Sequence, residues 1–320
     1  MFELINGMRS ILEACSVVKP KEKVLVLADN EGGPIWIGQI VMNLVNSMGA
    51  EAVLIIKNPE WNYENEPPAP VAAAMKAVNA FICISDKATV VHTNARKEAT
   101  ALGVRYCGIC QIPLEDLKRG ISAPDAQRIK ARTETLAQRL TRADTARVTS
   151  PSGTDITFRL HGREALSLHP LSMVASLPYY AESAIAPVEG TAQGLIVADL
   201  AFSSSNNILR QPVSLTVKEG RVSEISGSDE SVGRLREIAS SDKNSSNIAE
   251  LGIGTSHVIP AEMHGTRRDY ARTGTAHIAF GKNNDIGGQT WSHIHVDALF
   301  GRPTIILDDE YVIRDGKFLI

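Results

Sequence analysis

The segment Thr290-Trp291-Ser292-His293-Ile294-His295-Val296-Asp297 constrains this chain more than any other stretch. Alternate residues of a strand share a face, so His293, His295 and Asp297 are expected to project together while Ile294 and Val296 point the other way. Two imidazoles and a carboxylate at this spacing can close on one divalent ion, and the apolar alternates would anchor the strand in a core. The same triplet also fits a plain strand end with hydrogen-bonded histidines. Further ligand-type residues lie upstream, Glu250 in Ala249-Glu250-Leu251-Gly252-Ile253-Gly254 and His277 in Gly274-Thr275-Ala276-His277-Ile278-Ala279-Phe280-Gly281. Each is a single polar group inside an apolar, glycine-bounded run, where an uncompensated charge is costly and a metal partner relieves the cost.

Such strands need a core to lie on, and 320 residues are enough for two ordinary domains. The first is expected over residues 1–145 as an α/β domain with a parallel sheet. There the compact apolar run Lys23-Val24-Leu25-Val26-Leu27-Ala28 is followed by a glycine-containing loop and a helical stretch over 35–48. Further strands are expected at 52–56, 80–85 and 104–109, with helices near 71–78, 93–102 and 124–140, the last capped by Ser122. The loop is not G-x-G-x-x-G and no Walker lysine follows, which argues against a nucleotide site. Past Asp144 the pattern changes to hairpins, at 146–149 with 154–160, at 213–217 with 222–225, and around Asp315-Gly316. Residues 146–320 are therefore expected to form a mainly antiparallel β, or α+β, metal-binding domain, with 226–246 read as a helix with solvated flanks.

Charge and composition exclude several classes of function. The net charge of −3, without a long basic cluster, argues against nucleic acid. No apolar run approaches the ~20 residues needed to span a bilayer, and the N-terminus lacks the order of a secretory signal, so a cytoplasmic protein is expected. Cys107 and Cys110 form a C-x-x-C pair but have no further zinc ligands nearby, and buried thiols are the expected reading.

Taken together, the runs 153–158, 181–192, 249–254, 274–281 and 292–297 occur in an order that resembles two related families. These are the thermophilic-type metalloaminopeptidases of the aminopeptidase T and S group, and the oxygen-using 2,5-dihydroxypyridine 5,6-dioxygenases. The likeness runs from about Val148 to the C-terminus. Resemblance to the dioxygenases implies one Fe(II) held by Glu250, His295 and Asp297, a dihydroxylated pyridine and O2 as substrates, and N-formylmaleamate as product. It further implies that His92, in His92-Thr93-Asn94-Ala95-Arg96-Lys97-Glu98-Ala99, reaches the substrate from the first domain, with His169 a second candidate. Glu182, His277 and His293 would then orient the ligands or the substrate. Resemblance to the aminopeptidases implies instead two ions, zinc, cobalt or manganese, on Glu182, Glu250, His277, His295 and Asp297, with Glu189 or another carboxylate as base. That family's tyrosine ligand falls seven residues after the first histidine, where this chain has Asn284. A homo-oligomer is expected on either reading. His161, His257 and His264 have no interpretable arrangement.

Overall fold

The computed structural model describes residues 1–31, 33–59, 65–86, 90–91, 93–172, 178–204 and 207–320. The chain divides into two compact units, residues 1–130 with 168–179 and residues 131–167 with 180–320. The division thus falls earlier than the boundary expected after residue 145, inside one long helix, and a short return segment joins the first unit.

The first unit begins with a helix that hydrophobic patterning had not singled out, α1 (Phe2–Ala14), and continues β1 (Lys23–Asp29), α2 (Gly33–Ser47), β2 (Glu51–Lys57), α3 (Ala69–Lys76), β3 (Ala80–Ser85), α4 (Asn94–Ala101), β4 (Arg105–Cys110) and α5 (Leu114–Arg119). All strand pairs are parallel, in the order β2-β1-β3-β4. The apolar runs of β1 and β3 are almost wholly buried, as strands covered on both faces must be. β2 lies at the edge and leaves Val53 and Ile56 exposed. At the carboxyl ends of the strands Lys57 Nζ lies 2.9 Å from Asp29 Oδ1, and the Ser85 hydroxyl donates to the same carboxylate. α6 (Ala123–Arg142) starts where Ser122 Oγ accepts the Asp125 N–H at 3.1 Å, the cap expected from the sequence. The four cysteines are thiols rather than disulfides.

The second unit takes the remainder of α6 and then runs β5 (Thr145–Thr149), β6 (Asp155–Arg159), β7 (Leu166–Leu168), β8 (Glu182–Ile185), β9 (Gln193–Ala198), β10 (Ala201–Phe202), β11 (Asn207–Ile208), β12 (Val213–Lys218), β13 (Arg221–Ser226), α7 (Val232–Ala239), β14 (Ile248–Gly254), α8 (Arg267–Tyr270), β15 (Thr275–Gly281), β16 (His295–Gly301), β17 (Thr304–Leu307), β18 (Glu310–Arg314) and β19 (Lys317–Phe318). The strands form a seven-stranded sheet, β11-β10-β16-β15-β14-β8-β7, and an eight-stranded sheet, β13-β12-β9-β6-β5-β17-β18-β19. The expected hairpins β5/β6, β12/β13 and β18/β19 are antiparallel pairs. The helix expected over 226–246 contracts to the two turns of α7.

One hydrophobic core joins alternate residues of both sheets. Leu251, Ile253, Ile278, Phe280, Val296 and Phe300 come from the seven-stranded sheet, Val148, Ile156, Ile196 and Leu215 from the other, and Leu136 and Leu140 from α6. Their partners in the alternation, on the opposite face of the seven-stranded sheet, are the ligand-type residues. Among the described residues no helix is long and apolar enough to cross a membrane.

Candidate metal centre

Strand register brings the polar residues together. Directly paired residues of a sheet share a face, and so do residues two apart on one strand. Gly254 pairs with Glu182 on β8, Gly252 pairs with His277 on β15, and Glu250 pairs with Ala279, which in turn pairs with Asp297 on β16. His295 stands opposite Gly281. Glu182, Glu250, His277, His295 and Asp297 therefore project from one face of four adjacent strands. Small residues lie between them, and Gly252 is required: a Cβ there would stand 2.1 Å from His277 Nε2, so only glycine lets the imidazole lie across β14.

The resulting groups are Glu250, His295 and Asp297, and Glu182, Glu250 and His277, each with ligand atoms within 4.8 Å of one another. His295 Nε2 is 3.0 Å from Glu250 Oε2 and 3.1 Å from Asp297 Oδ1. His277 Nε2 is farther from its neighbours, 3.6 Å from Glu250 Oε1 and 3.7 Å from Glu182 Oε2. The Tyr180 hydroxyl donates to Glu182 Oε2 at 2.8 Å, and the Arg267 guanidinium lies 4.8 Å from the Tyr180 ring.

Three carboxylates and two imidazoles strongly perturb one another. Burial pushes Glu250 up, but the hydrogen bonds and charges of His277 and His295 outweigh it and hold the carboxyl well below its usual range. Asp297 follows the same pattern, burial opposing and the two imidazoles prevailing. Burial lowers His277, yet Asp297, Glu250 and Glu182 raise it to about 9. Burial likewise opposes His295, which its bonds to Asp297 and Glu250 raise well above the ordinary value. Burial lifts Glu182 to about 7, against His277 and with Glu250. Without a cation, the burial of three carboxylates is offset by protons on the histidines and on Glu182.

The residues fit a divalent ion. Bonds of ~2.1 Å in octahedral geometry place neighbouring ligand atoms about 3 Å apart, which is the spacing around His295 Nε2. Asp297 Oδ1 is buried 3.1 Å from His295 Nε2, a spacing that suits two ligand atoms of one ion as well as a hydrogen bond between the residues. His295 Nδ1 lies 2.9 Å from the Lys282 carbonyl, which fixes the proton on Nδ1 and leaves the Nε2 lone pair for an ion. His277 Nδ1 is buried with no hydrogen-bond partner among the described residues, while its Nε2 faces the Glu250 and Glu182 carboxylates.

Other candidates lie elsewhere. His293 does not join the ligand face, because β16 begins only at His295. The Asp242 carboxylate accepts the Ser292 hydroxyl and the His293 N–H, turning the chain, and the exposed His293 ring packs against Trp291. His92 lies outside the described residues. His169 belongs to the first unit, is buried, and accepts the Leu171 N–H on Nδ1 at 3.2 Å. Glu189 is held by Arg163, Asn283 and the Gln289 N–H, bonds that keep it ionised against its burial and leave it engaged rather than poised as a base. Asn284 is exposed in the turn after β15. His161 pairs with Asp144 at the surface, His257 Nδ1 lies 3.4 Å from Arg132, and the His264 N–H donates to Asp269. Tyr180 and Tyr270, which border the ligand face, are residues the sequence reading did not find. No motif spacing marks them.

Comparison with known proteins bears on the fold and the family. Among solved structures, a 2,5-dihydroxypyridine dioxygenase from Pseudomonas putida KT2440 superimposes with a TM-score of 0.81 at 18% identity, over 99% of this chain and 96% of that one. That likeness establishes the shared fold. An alanine–glyoxylate aminotransferase from Nostoc sp. aligns over 32% of this chain and 26% of its own, with 14% identity and a TM-score of 0.24, too little to carry an argument. A search of curated proteins found no match. The family model for NicX, 2,5-dihydroxypyridine 5,6-dioxygenase, matches residues 3–320, and the chain belongs to that family of ring-cleaving dioxygenases.

Proposed function

We propose that this dioxygenase is a cytoplasmic, iron(II)-dependent enzyme of the extradiol type, with Glu250, His295 and Asp297 as the protein ligands. The observation that carries the reading is the Lys282 carbonyl on His295 Nδ1, which commits Nε2 to an ion flanked by two carboxylates. Two carboxylates nearly neutralise a +2 charge, and a ferrous ion so held would supply open coordination positions and ready electron donation to O2. His277 stands between Glu250 and Glu182, whose Oε2 also accepts the Tyr180 hydroxyl, and would orient Glu250 from that side. A substrate hydroxyl must lose its proton as the ring becomes electron-rich, and His92 is the residue proposed to take it, with His169 a further contact. Both oxygen atoms enter the product as the bond between ring carbons 5 and 6 opens, so 2,5-dihydroxypyridine and O2 give N-formylmaleamate with no other reactant.

A two-ion aminopeptidase or amidase is the second reading, with zinc, cobalt or manganese. It draws support from the group Glu182, Glu250 and His277, which shares Glu250 with the first. The engaged Glu189 weighs against it.

The test is metal content and reaction class together. Anaerobically purified protein is expected to hold about one iron per chain and, once loaded, to consume O2 with 2,5-dihydroxypyridine while leaving leucyl anilides intact. Two tightly held zinc or cobalt ions with oxygen-independent anilide release would overturn the proposal. The same preparation, run by light scattering, tests the expected homo-oligomer.

A further inference from the structure

Tyr270 ends the single turn α8 just before β15, and nothing in the scheme above uses it. The turn is held firmly. Asp269, fully buried, accepts the N–H groups of His264 at 2.8 Å and Thr266 at 3.2 Å, and Arg268 Nη1 at 3.0 Å. Tyr270 itself is 2% exposed and packs on Ala201 and Leu299. Leu299 pairs with His277, so this packing is on the ligand face, and the Tyr270 ring meets the His277 ring edge-on with centroids 5.3 Å apart. The Tyr270 hydroxyl has no hydrogen-bond partner among the described residues, whereas the neighbouring Tyr180 hydroxyl is taken by Glu182.

A buried donor without an acceptor is a standing cost, and native structures rarely keep one without a reason. A phenol is protonated at neutral pH, so this buried hydroxyl is a donor that an incoming acceptor would satisfy. On a face that holds an ion and an aromatic ring with an oxygen at each end, such an acceptor arrives with the substrate. We infer that the Tyr270 hydroxyl donates a hydrogen bond to a ring oxygen of the substrate, selecting pyridines that carry oxygen on both sides of the ring. The inference rests on the ring-cleaving reading of the same face.

The test is anaerobic equilibrium binding to the iron-loaded protein. It compares 2,5-dihydroxypyridine with its two single-oxygen analogues, 2-hydroxypyridine and 3-hydroxypyridine, in wild type and Tyr270→Phe. The variant is expected to keep its iron and to bind 2,5-dihydroxypyridine about 10-fold to 100-fold more weakly. It should bind one of the two analogues, the one lacking the contacted oxygen, as wild type does. Because the lost hydroxyl has no protein partner, the melting temperature of the metal-free variant should hold or rise. Equal weakening of all three ligands, unchanged binding of all three, or a lower melting temperature with loss of iron would overturn the inference and assign Tyr270 a packing role. A wild-type protein that binds none of the rings and consumes no O2 would instead overturn the functional reading itself, and the inference with it.

Discussion

Replacing Gly252 by alanine tests the architecture of the ligand face with one methyl group. Gly252 lies in β14 between Ala184 and His277, and its backbone is not in the left-handed region, so alanine meets no conformational penalty there. In such a strand the change would ordinarily stabilise by roughly 0.5–1 kcal/mol, since glycine loses the most freedom on folding. Here the new Cβ would lie 2.1 Å from His277 Nε2 and 2.2 Å from its Cε1, against a contact distance of ~3.5 Å. The imidazole must retreat by more than about 1 Å, yet it is 2% exposed and backed by the Tyr270 ring. Overpacking of this kind costs about 1–3 kcal/mol, which outweighs the backbone gain. In a unit of this size each kcal/mol moves the melting temperature by about 2–4 °C, so a measurable fall is expected. A displaced His277 also presses on Glu250 and Glu182, and iron affinity should weaken by roughly 10-fold to 100-fold, as for loss of an outer partner. Thermal unfolding and anaerobic iron titration read the two effects. The stability cost should vanish in a His277→Ala background, where the methyl has room. A Gly252→Ala protein as stable as wild type, with the same iron affinity, would refute the assignment of His277 to the space above Gly252.

The remaining expectations follow from the same face. Glu250→Ala, His295→Ala and Asp297→Ala should each abolish iron binding and turnover, whereas His277→Ala or Glu182→Ala should keep iron at about 10-fold to 100-fold lower affinity. Loss of one metal out of two on His277→Ala, measured by metal analysis, would favour the two-ion reading. His92→Ala should keep its iron and lose roughly 10²-fold or more in turnover. In metal-free protein His295, raised well above its ordinary value by its bonds to Asp297 and Glu250, holds a proton that an ion must displace. Apparent iron affinity should therefore climb as pH rises above neutrality, by about tenfold per unit for the one proton released. The stabilising share of His277 is complete below pH 6.5 and is lost as pH rises through about 9, so metal-free protein should soften over that window. An affinity independent of pH would contradict the protonated state assigned to His295.

Much of this was legible from residue patterns. The continuous apolar runs of β1 and β3 and the alternation within β14, β15 and β16 specify strands and faces directly, so Glu250, His277, His295 and Asp297 could be named as one set before any pairing was known. Alternation alone placed His293 with them, and there a local contact prevailed: Asp242, distant in sequence, captures Ser292 and bends the chain before β16 begins. The α6 division and the return of residues 168–179 were hidden because a helix gives no periodic sign of where its packing partner changes. Tyr270 was hidden for a related reason. α8 is too short to show a period, and an apolar ring with a lone hydroxyl reads as core until its missing partner is seen.

Register on the seven-stranded sheet also makes metal capture a check on folding. The proposed ion-binding atoms come from β14 and β16, which are each paired with β15 and not with one another, so no single hairpin presents them together. Pairing segments this distant in sequence incurs loop-closure entropy and comes late in assembly. A slip of one residue between β14 and β15 would turn Leu251 toward the ion and bury the Glu250 charge in the core. On the proposed site a misaligned chain would lack its ligand set, and iron counted per molecule would become a tally of correctly threaded sheets.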